Sequence, residues 1–145
     1  MAIRTPAETH ERLRELCFAM PEVSERLSHG SPSFFIREKR VLCSFHPAGH
    51  HGDQFMSIWI PAPPGVQEEL IEDEPDRFYR PQYVGPSGWV GVRLDRDVDW
   101  DEIDSMLREA YRLKAPKTLA KQLDAEEGAR RGAPITARHR LKRST

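Results

Sequence analysis

The chain has 145 residues, of which 38% are hydrophobic, and its net charge is −1 at pH 7. This length predicts one domain with a single core. The sequence contains no apolar run of about 18 residues, the length needed to cross a membrane, and the first residues lack the apolar stretch of a signal peptide. We therefore expect a cytoplasmic protein. The two cysteines lack metal-site spacing and are expected to be small buried thiols.

Charge is distributed unevenly along the chain. Residues 126–145 carry six Lys or Arg and two Glu, a net charge of +4, which leaves −5 for residues 1–125. An acidic body with a basic tail can hold an anionic polymer only through the tail or through local patches. We therefore predict an α+β domain at residues 1–124 and a basic, disordered tail at residues 125–145.

The first predicted element is a helix that begins after Thr5. Thr5 fits the N-cap, Pro6 fits the first turn, and Glu8 follows three residues after the cap, so together they make a capping box. Apolar residues then recur at helical spacing and predict one buried stripe: Leu13, Leu16, Cys17 and Met20. Pro21 is expected to stop the helix.

Short β-type segments follow the helix. Residues 33–37 and 41–45 flank a charged turn at residues 38–40 and predict a hairpin. The segment at residues 54–60 alternates in polarity and is expected to be a strand, with Trp59 on the face away from the core.

The next part of the chain combines a short helix with two more β-type segments. A Pro-rich break leads to a helix predicted at residues 66–72, and residues 78–83 return the chain to the sheet. From Trp89 the side chains alternate again, so that Trp89 and Arg93 share one face and the aliphatic residues between them share the other. Because only the aliphatic set suits a core, we expect Trp59, Trp89 and Arg93 on an open, solvent-exposed face.

The last strong element is a helix capped by Asp99, with Glu102 as the reciprocal partner in a second capping box. Its buried stripe consists of Ile103, Met106, Leu107 and Ala110. After Pro116, residues 118–123 are expected to add a short amphipathic turn before order ends near Asp124. The element order describes an α+β sandwich, in which the terminal helices cover one face of an antiparallel sheet and leave the other available.

Several motifs, in this order, resemble the MmcQ/YjbR family of small bacterial proteins. The motifs are Pro21-Glu-Val23, Ser28 to Phe34, Pro63-Pro-Gly65, Phe78 to Leu94, and Asp99 to Ile103 with Ala115-Pro-Lys117. The resemblance covers about residues 6–124. It implies a CyaY-like two-layer α+β fold, which is sometimes described as a double-wing, DNA-binding arrangement.

If such wings operate here, the hairpin around residues 37–40 is one of them, and the loop with His50 and His51 or the turn at residues 85–88 is another. Cations of the first wing would neutralise phosphates, while aromatic side chains of the open face would stack on unpaired bases. We expect a non-catalytic binding protein with DNA as its leading partner and with neither cofactor nor metal. The expected contact residues are His29, Arg37, Lys39, Arg40, Trp59, Arg80, Tyr83, Trp89 and Arg93.

Two other classes of function stay open. A small-ligand or enzymatic pocket between His29, Arg80, Tyr83 and Trp89 would form a concavity rather than a flat face. A protein-interaction adaptor or homodimer would instead need a contiguous apolar patch, for example around Trp59.

Two histidine-containing segments have residue types found in catalytic or metal-binding sites. His29 would need Ser28 or Ser31 within reach to activate a hydroxyl, but no orienting acid or oxyanion hole is spaced to complete such a site, and a turn into the first strand is expected. The segment from His46 to Asp53 contains metal-ligand types, but its adjacent histidines lack the helical ligand spacing. A solvated loop is therefore expected there.

Overall fold

A computed structural model describes residues 4–48 and 55–131 of the chain. Its elements, in chain order, are α1 (Pro6–Phe18), β1 (Val23–Ser28), β2 (Ser31–Ile36), β3 (Arg40–His46), β4 (Ser57–Ile60), α2 (Val66–Asp73), β5 (Phe78–Tyr79), β6 (Val90–Arg93), α3 (Trp100–Lys114) and α4 (Lys117–Arg131). A 3-10 turn at Gly85–Ser87 lies in the loop before β6. The helices within the described residues are too short or too polar for any of them to traverse a bilayer.

The strands form a six-stranded antiparallel sheet in the order β1-β2-β3-β4-β6-β5. Ser33, Ser44, Trp59 and Gly91 are successive cross-strand neighbours, and they lie on the face that we call the open face. Residues that alternate with them, such as Phe34, lie on the opposite face, which we call the helix face. The predicted α+β architecture, with helices packed against an antiparallel sheet, is confirmed.

The core fills the space between the helix face and the helices. Its largest fully buried side chains include Leu13, Phe34, Ile36, Phe45, Ile58, Ile60, Leu107 and Tyr111. The Tyr111 hydroxyl donates a hydrogen bond to the carbonyl oxygen of Pro21 at 2.7 Å, which ties α3 to the chain after α1. Cys17 and Cys43 are buried thiols, as predicted, with their sulfur atoms 3.9 Å apart where α1 packs on β3.

The first helix begins as predicted. The Glu8 backbone N–H donates to Thr5 Oγ1 at 3.2 Å, and the Thr5 backbone N–H donates to the Glu8 carboxylate at 2.9 Å. Asp99 caps α3 by accepting from backbone N–H groups of its first turn. Glu102 was expected to complete a second capping box, but its carboxylate accepts a hydrogen bond from Arg77, which joins α3 to the residue before β5.

β1 is absent from the prediction, because Glu25 interrupts the apolar residues Val23 and Leu27 on its helix face. Glu25 lies on that face and accepts hydrogen bonds from the Arg14 guanidinium at 2.7 Å and from His10 Nε2 at 2.7 Å, both on α1. Burial acts to raise the pKa of Glu25, but these hydrogen bonds outweigh it and hold the pKa below the usual glutamate value. At this edge of the sheet a charged contact therefore lies beside the apolar packing of Val23.

α4 continues to Arg131, past the predicted end near Asp124. Leu119 and Leu123 bury its inner face against the core. Glu127 accepts hydrogen bonds from Arg108 at 2.8 Å and from Arg112 at 2.6 Å, so ion pairs to α3 extend the helix beyond its apolar part. The rest of the predicted tail and the histidines at positions 50 and 51 lie outside the described residues.

Candidate functional site

The open face carries a cavity of about 840 Å³. A volume of this size lies within the range of sites that hold small organic ligands. The described residues that line it are Ser28, His29, Ser31, Ser33, Phe35, Lys39, Val41, Ser44, His46, Trp59, Tyr83, Val84 and Trp89.

Turns and one long loop form the walls of the cavity. His29 and Gly30 have φ values of 52° and 82°, the two successive positive φ angles of a tight two-residue hairpin turn between β1 and β2. Lys39 comes from the turn between β2 and β3, and Tyr83 from the loop between β5 and β6. Tyr83 also has a positive φ of 65°, which is uncommon for a residue with a side chain and is more frequent at functional sites.

A buried histidine lies in the floor, where both of its ring nitrogens are engaged. His46 is 3% exposed; its Nδ1 lies 3.1 Å from Ser31 Oγ and its Nε2 lies 3.0 Å from Ser44 Oγ. The imidazole also stacks on the Trp59 indole, with ring centroids 3.9 Å apart. Ser31 therefore contacts His46, and not His29, which was the histidine considered as its partner from the sequence. These contacts fix the imidazole and both hydroxyls in place.

Trp59 is held on its other side by a tyrosine. Its Nε1–H donates to the Tyr79 hydroxyl at 2.7 Å, and that hydroxyl donates to Ser57 Oγ at 2.8 Å. The Tyr79 ring lies directly over Gly91, where an added Cβ would overlap it. Glycine at position 91 thus permits the ring position from which Tyr79 orients the indole.

The prediction that Trp59 and Trp89 are solvent-exposed is wrong, because each is only 5% exposed. Both lie on the side of the sheet that was predicted, but they are buried there. Gln67 of α2 donates a hydrogen bond to the Trp89 carbonyl oxygen, and the Lys114 amine lies 6.0 Å from the Trp89 ring centroid. An adaptor or homodimer was expected to need an exposed apolar patch around Trp59. Because Trp59 is buried, it cannot be the centre of such a patch.

Two of the predicted arginines are held in ion pairs. Arg37 makes a bidentate pair with Glu22, at 3.0 Å for each contact, and Arg93 makes one with Asp95 at 3.0 and 2.7 Å. Hydrogen bonding to these guanidinium groups lowers the pKa of Glu22 and of Asp95. Arg93 also lies over the Phe55 ring, 4.1 Å from its centroid, and neither arginine lines the cavity.

The other predicted contact residues have different surroundings. Lys39, in the turn between β2 and β3, and Arg40, the first residue of β3, are both exposed, and only Lys39 of the two lines the cavity. Arg80 packs over Gly85 and is absent from the lining residues. Tyr83 is 70% exposed, so it forms part of the rim. Of the four residues predicted to form a pocket, three are therefore brought together and Arg80 is not.

The polar floor of the cavity is absent from the predicted site. Ser31 and Ser33 in β2, and Ser44 and His46 in β3, alternate with the apolar residues of the helix face. Ser31, Ser33 and His46 are buried, and Ser44 is half-buried. The matching polar alternation of two adjacent strands was a usable signal, because it places these side chains together on one face of the sheet.

The described lining residues carry one lysine, two histidines and no carboxylate. Within residues 4–48 and 55–131, no three His, Cys, Asp or Glu side chains gather as metal ligands. The described lining therefore offers aromatic side chains, hydroxyl groups and the amine of one lysine. These groups suit a flat molecule that is neutral or negatively charged.

The fold and the cavity together define a small α+β protein with a ligand-sized concavity on the open face of its sheet. The YjbR family model matches residues 18–113, which is more than half of the chain, and the chain therefore belongs to the YjbR family. It is also similar to the crystal structure of Deinococcus radiodurans protein DR2400, of domain family DUF419. That similarity has a TM-score of 0.64 and 23% identity, and it covers 83% of this chain and 91% of the other. At this identity the likeness shows the fold alone. A comparison with curated proteins finds no match.

Proposed function

We propose that this YjbR-family protein binds a small, flat aromatic molecule in the cavity on its open face. The observation that carries the proposal is that Trp59 and Trp89, each 5% exposed, line one cavity of about 840 Å³ together with serine hydroxyls. Stacking of an aromatic ring on such a side chain is worth about 1–3 kcal/mol in nucleic-acid complexes. Hydroxyl groups both donate and accept hydrogen bonds, so they fit the polar edge of a heterocycle.

The rigidity of the floor supports binding. Trp59 is held by the hydrogen bond to Tyr79 and by stacking on His46. Ser31 and Ser44 are held by the two nitrogens of His46. Groups that are already ordered lose little conformational entropy when a ligand arrives, so more of the contact energy appears as affinity.

The test is a titration with fused-ring fragments such as quinoline, adenine and 2-naphthamide. Two-dimensional amide NMR would follow the titration, and the expected result is saturable shifts confined to residues around Ser33, Ser44 and Trp89. Trp89→Leu removes one stacking surface and should weaken binding about fivefold or more. Trp100→Phe is the matched control, because Trp100 is outside the cavity lining, and it should leave binding unchanged.

The proposal fails if no fragment gives saturable shifts. It also fails if the shifts cluster away from the cavity, or if Trp89→Leu keeps full affinity while its circular dichroism remains that of the wild type.

Nucleic-acid binding through the turn between β2 and β3 is the second candidate, and the adjacent exposed cations Lys39 and Arg40 favour it. It ranks below the small ligand, because Arg37 is paired with Glu22 and residues 1–125 carry a net charge of −5. Fluorescence anisotropy with short single- and double-stranded DNA at low salt would test it. Replacing both cations by alanine should lower the slope of log affinity against log salt by about 2. Absence of binding at low salt would reject this candidate.

A further inference from the structure

We infer that the molecule bound in this cavity carries a negative charge, held at the end of the cavity that Lys39 lines and where Arg26 packs against Phe35. The inference rests on the proposed function and assigns a chemical class to its ligand, namely an aromatic anion such as an aromatic carboxylate or phosphate.

One cation lines this end of the cavity, and a second, which is outside the lining residues, packs against one of them. Lys39 lines the cavity from the turn between β2 and β3. Arg26 of β1 lies on the open face opposite Ser33, and its guanidinium carbon is 3.6 Å from the centroid of the Phe35 ring, which lines the cavity. Arg26 Nη1 also donates to the Glu38 carbonyl oxygen at 3.1 Å, so Arg26 is fixed to the same turn that supplies Lys39.

Within the described part of the chain, neither of these cations has a carboxylate partner. This differs from Arg37 and Arg93, which are each paired with an acidic residue on the protein itself. The described cavity lining contains no Asp or Glu to oppose an incoming anion. Positive charge beside a partly enclosed aromatic cavity attracts an anion more strongly than the same charge on a flat surface, because the low-dielectric walls reduce screening.

The aromatic part and the charged part of such a ligand have separate places. The ring would lie against Trp59 and Trp89, while the anionic group would face Lys39, whose long side chain can reach inward from the turn. A hydrogen bond to a charged group is stronger than one between neutral groups. For one contact at a partly exposed site, the difference in free energy corresponds to about tenfold in affinity.

The experiment compares 2-naphthoate with 2-naphthamide, two probes of nearly the same shape that differ in charge, by calorimetry on the full chain at physiological salt. Wild-type protein should bind 2-naphthoate about tenfold more tightly. Lys39→Gln should remove most of that preference, Lys39→Arg should restore it, and Arg26→Gln should reduce it. Arg40→Gln is the matched control, because Arg40 neighbours Lys39 but does not line the cavity, and it should preserve the preference.

The outcomes separate the two proposals. Equal affinity for both probes, or a preference that survives Lys39→Gln, would overturn the anionic class while leaving the aromatic site in place. If neither probe binds the wild-type protein, both the aromatic site and its anionic class are rejected. Cyclohexanecarboxylate binding as tightly as 2-naphthoate would also reject the aromatic site.

Discussion

Replacement of Tyr79 by phenylalanine tests whether its hydroxyl orders the cavity floor. The change removes the acceptor of the Trp59 Nε1–H bond and the donor to Ser57 Oγ, at 2.7 and 2.8 Å, while the ring still fits over Gly91. Trp59 is 5% exposed and Ser57 is fully buried, so water cannot readily replace the lost partner. Leaving a buried polar group unsatisfied costs about 1–3 kcal/mol, and we expect Tyr79→Phe to lose about 2 kcal/mol of unfolding free energy.

Urea denaturation followed by far-ultraviolet circular dichroism would measure this loss. With an m-value of about 2 kcal/mol/M, the midpoint should fall by about 1 M. Tyr83→Phe is the control, because that side chain is 70% exposed and its hydroxyl should contribute less than about 0.5 kcal/mol. If the two variants have the same midpoint, the Tyr79 hydroxyl does not stabilise the floor and the argument for a rigid binding surface is refuted.

Three further outcomes are expected. Gly91→Ala should displace the Tyr79 ring and weaken fragment binding in the NMR titration. Gly128→Ala, where an added Cβ has no neighbouring atom within 4 Å, should leave fragment binding unchanged, and equal affinities of the two variants would contradict the role of Gly91. Glu25→Gln should be less stable than wild type at pH 7, because the lowered pKa of Glu25 contributes stability above the unfolded glutamate pKa of about 4.3. That contribution is lost as pH falls through the lowered folded-state pKa, so the gap between the urea midpoints should narrow as pH falls below about 4.3, and a constant gap would contradict the pairing with Arg14. Glu127→Gln should speed amide hydrogen exchange in α4, with a loss of about 1–2 kcal/mol, while exchange in the central strands stays unchanged.

The helix boundaries could be predicted from sequence because their signals are local. Thr5, Pro6 and Glu8 lie within one turn, and each specifies its own backbone position at the start of α1. The face on which Trp59 lies was also predictable, because alternation along a strand depends only on neighbouring residues.

The burial of the side chains on that face was not predictable, because it depends on contacts between segments that are distant in the sequence. Trp89 is 5% exposed, and the groups that meet it come from other elements: Gln67 of α2 donates to its backbone carbonyl, and the Lys114 amine of α3 faces its ring. Likewise, His46 meets Ser31 only because β2 and β3 pair in one particular register. β1 was not predicted for a related reason. Its inward-facing charged residue, Glu25, is stabilised by Arg14 of α1 and not by a residue of its own strand.

The thiol pair in the core gives the protein an internal reporter of unfolding. Cys17 and Cys43 are both 0% exposed, and the sequence contains no other cysteine. A thiol reagent added to the folded chain can react only when the contact between α1 and β3 separates. The labelling rate under native conditions therefore measures how often that part of the molecule opens, with no engineered probe.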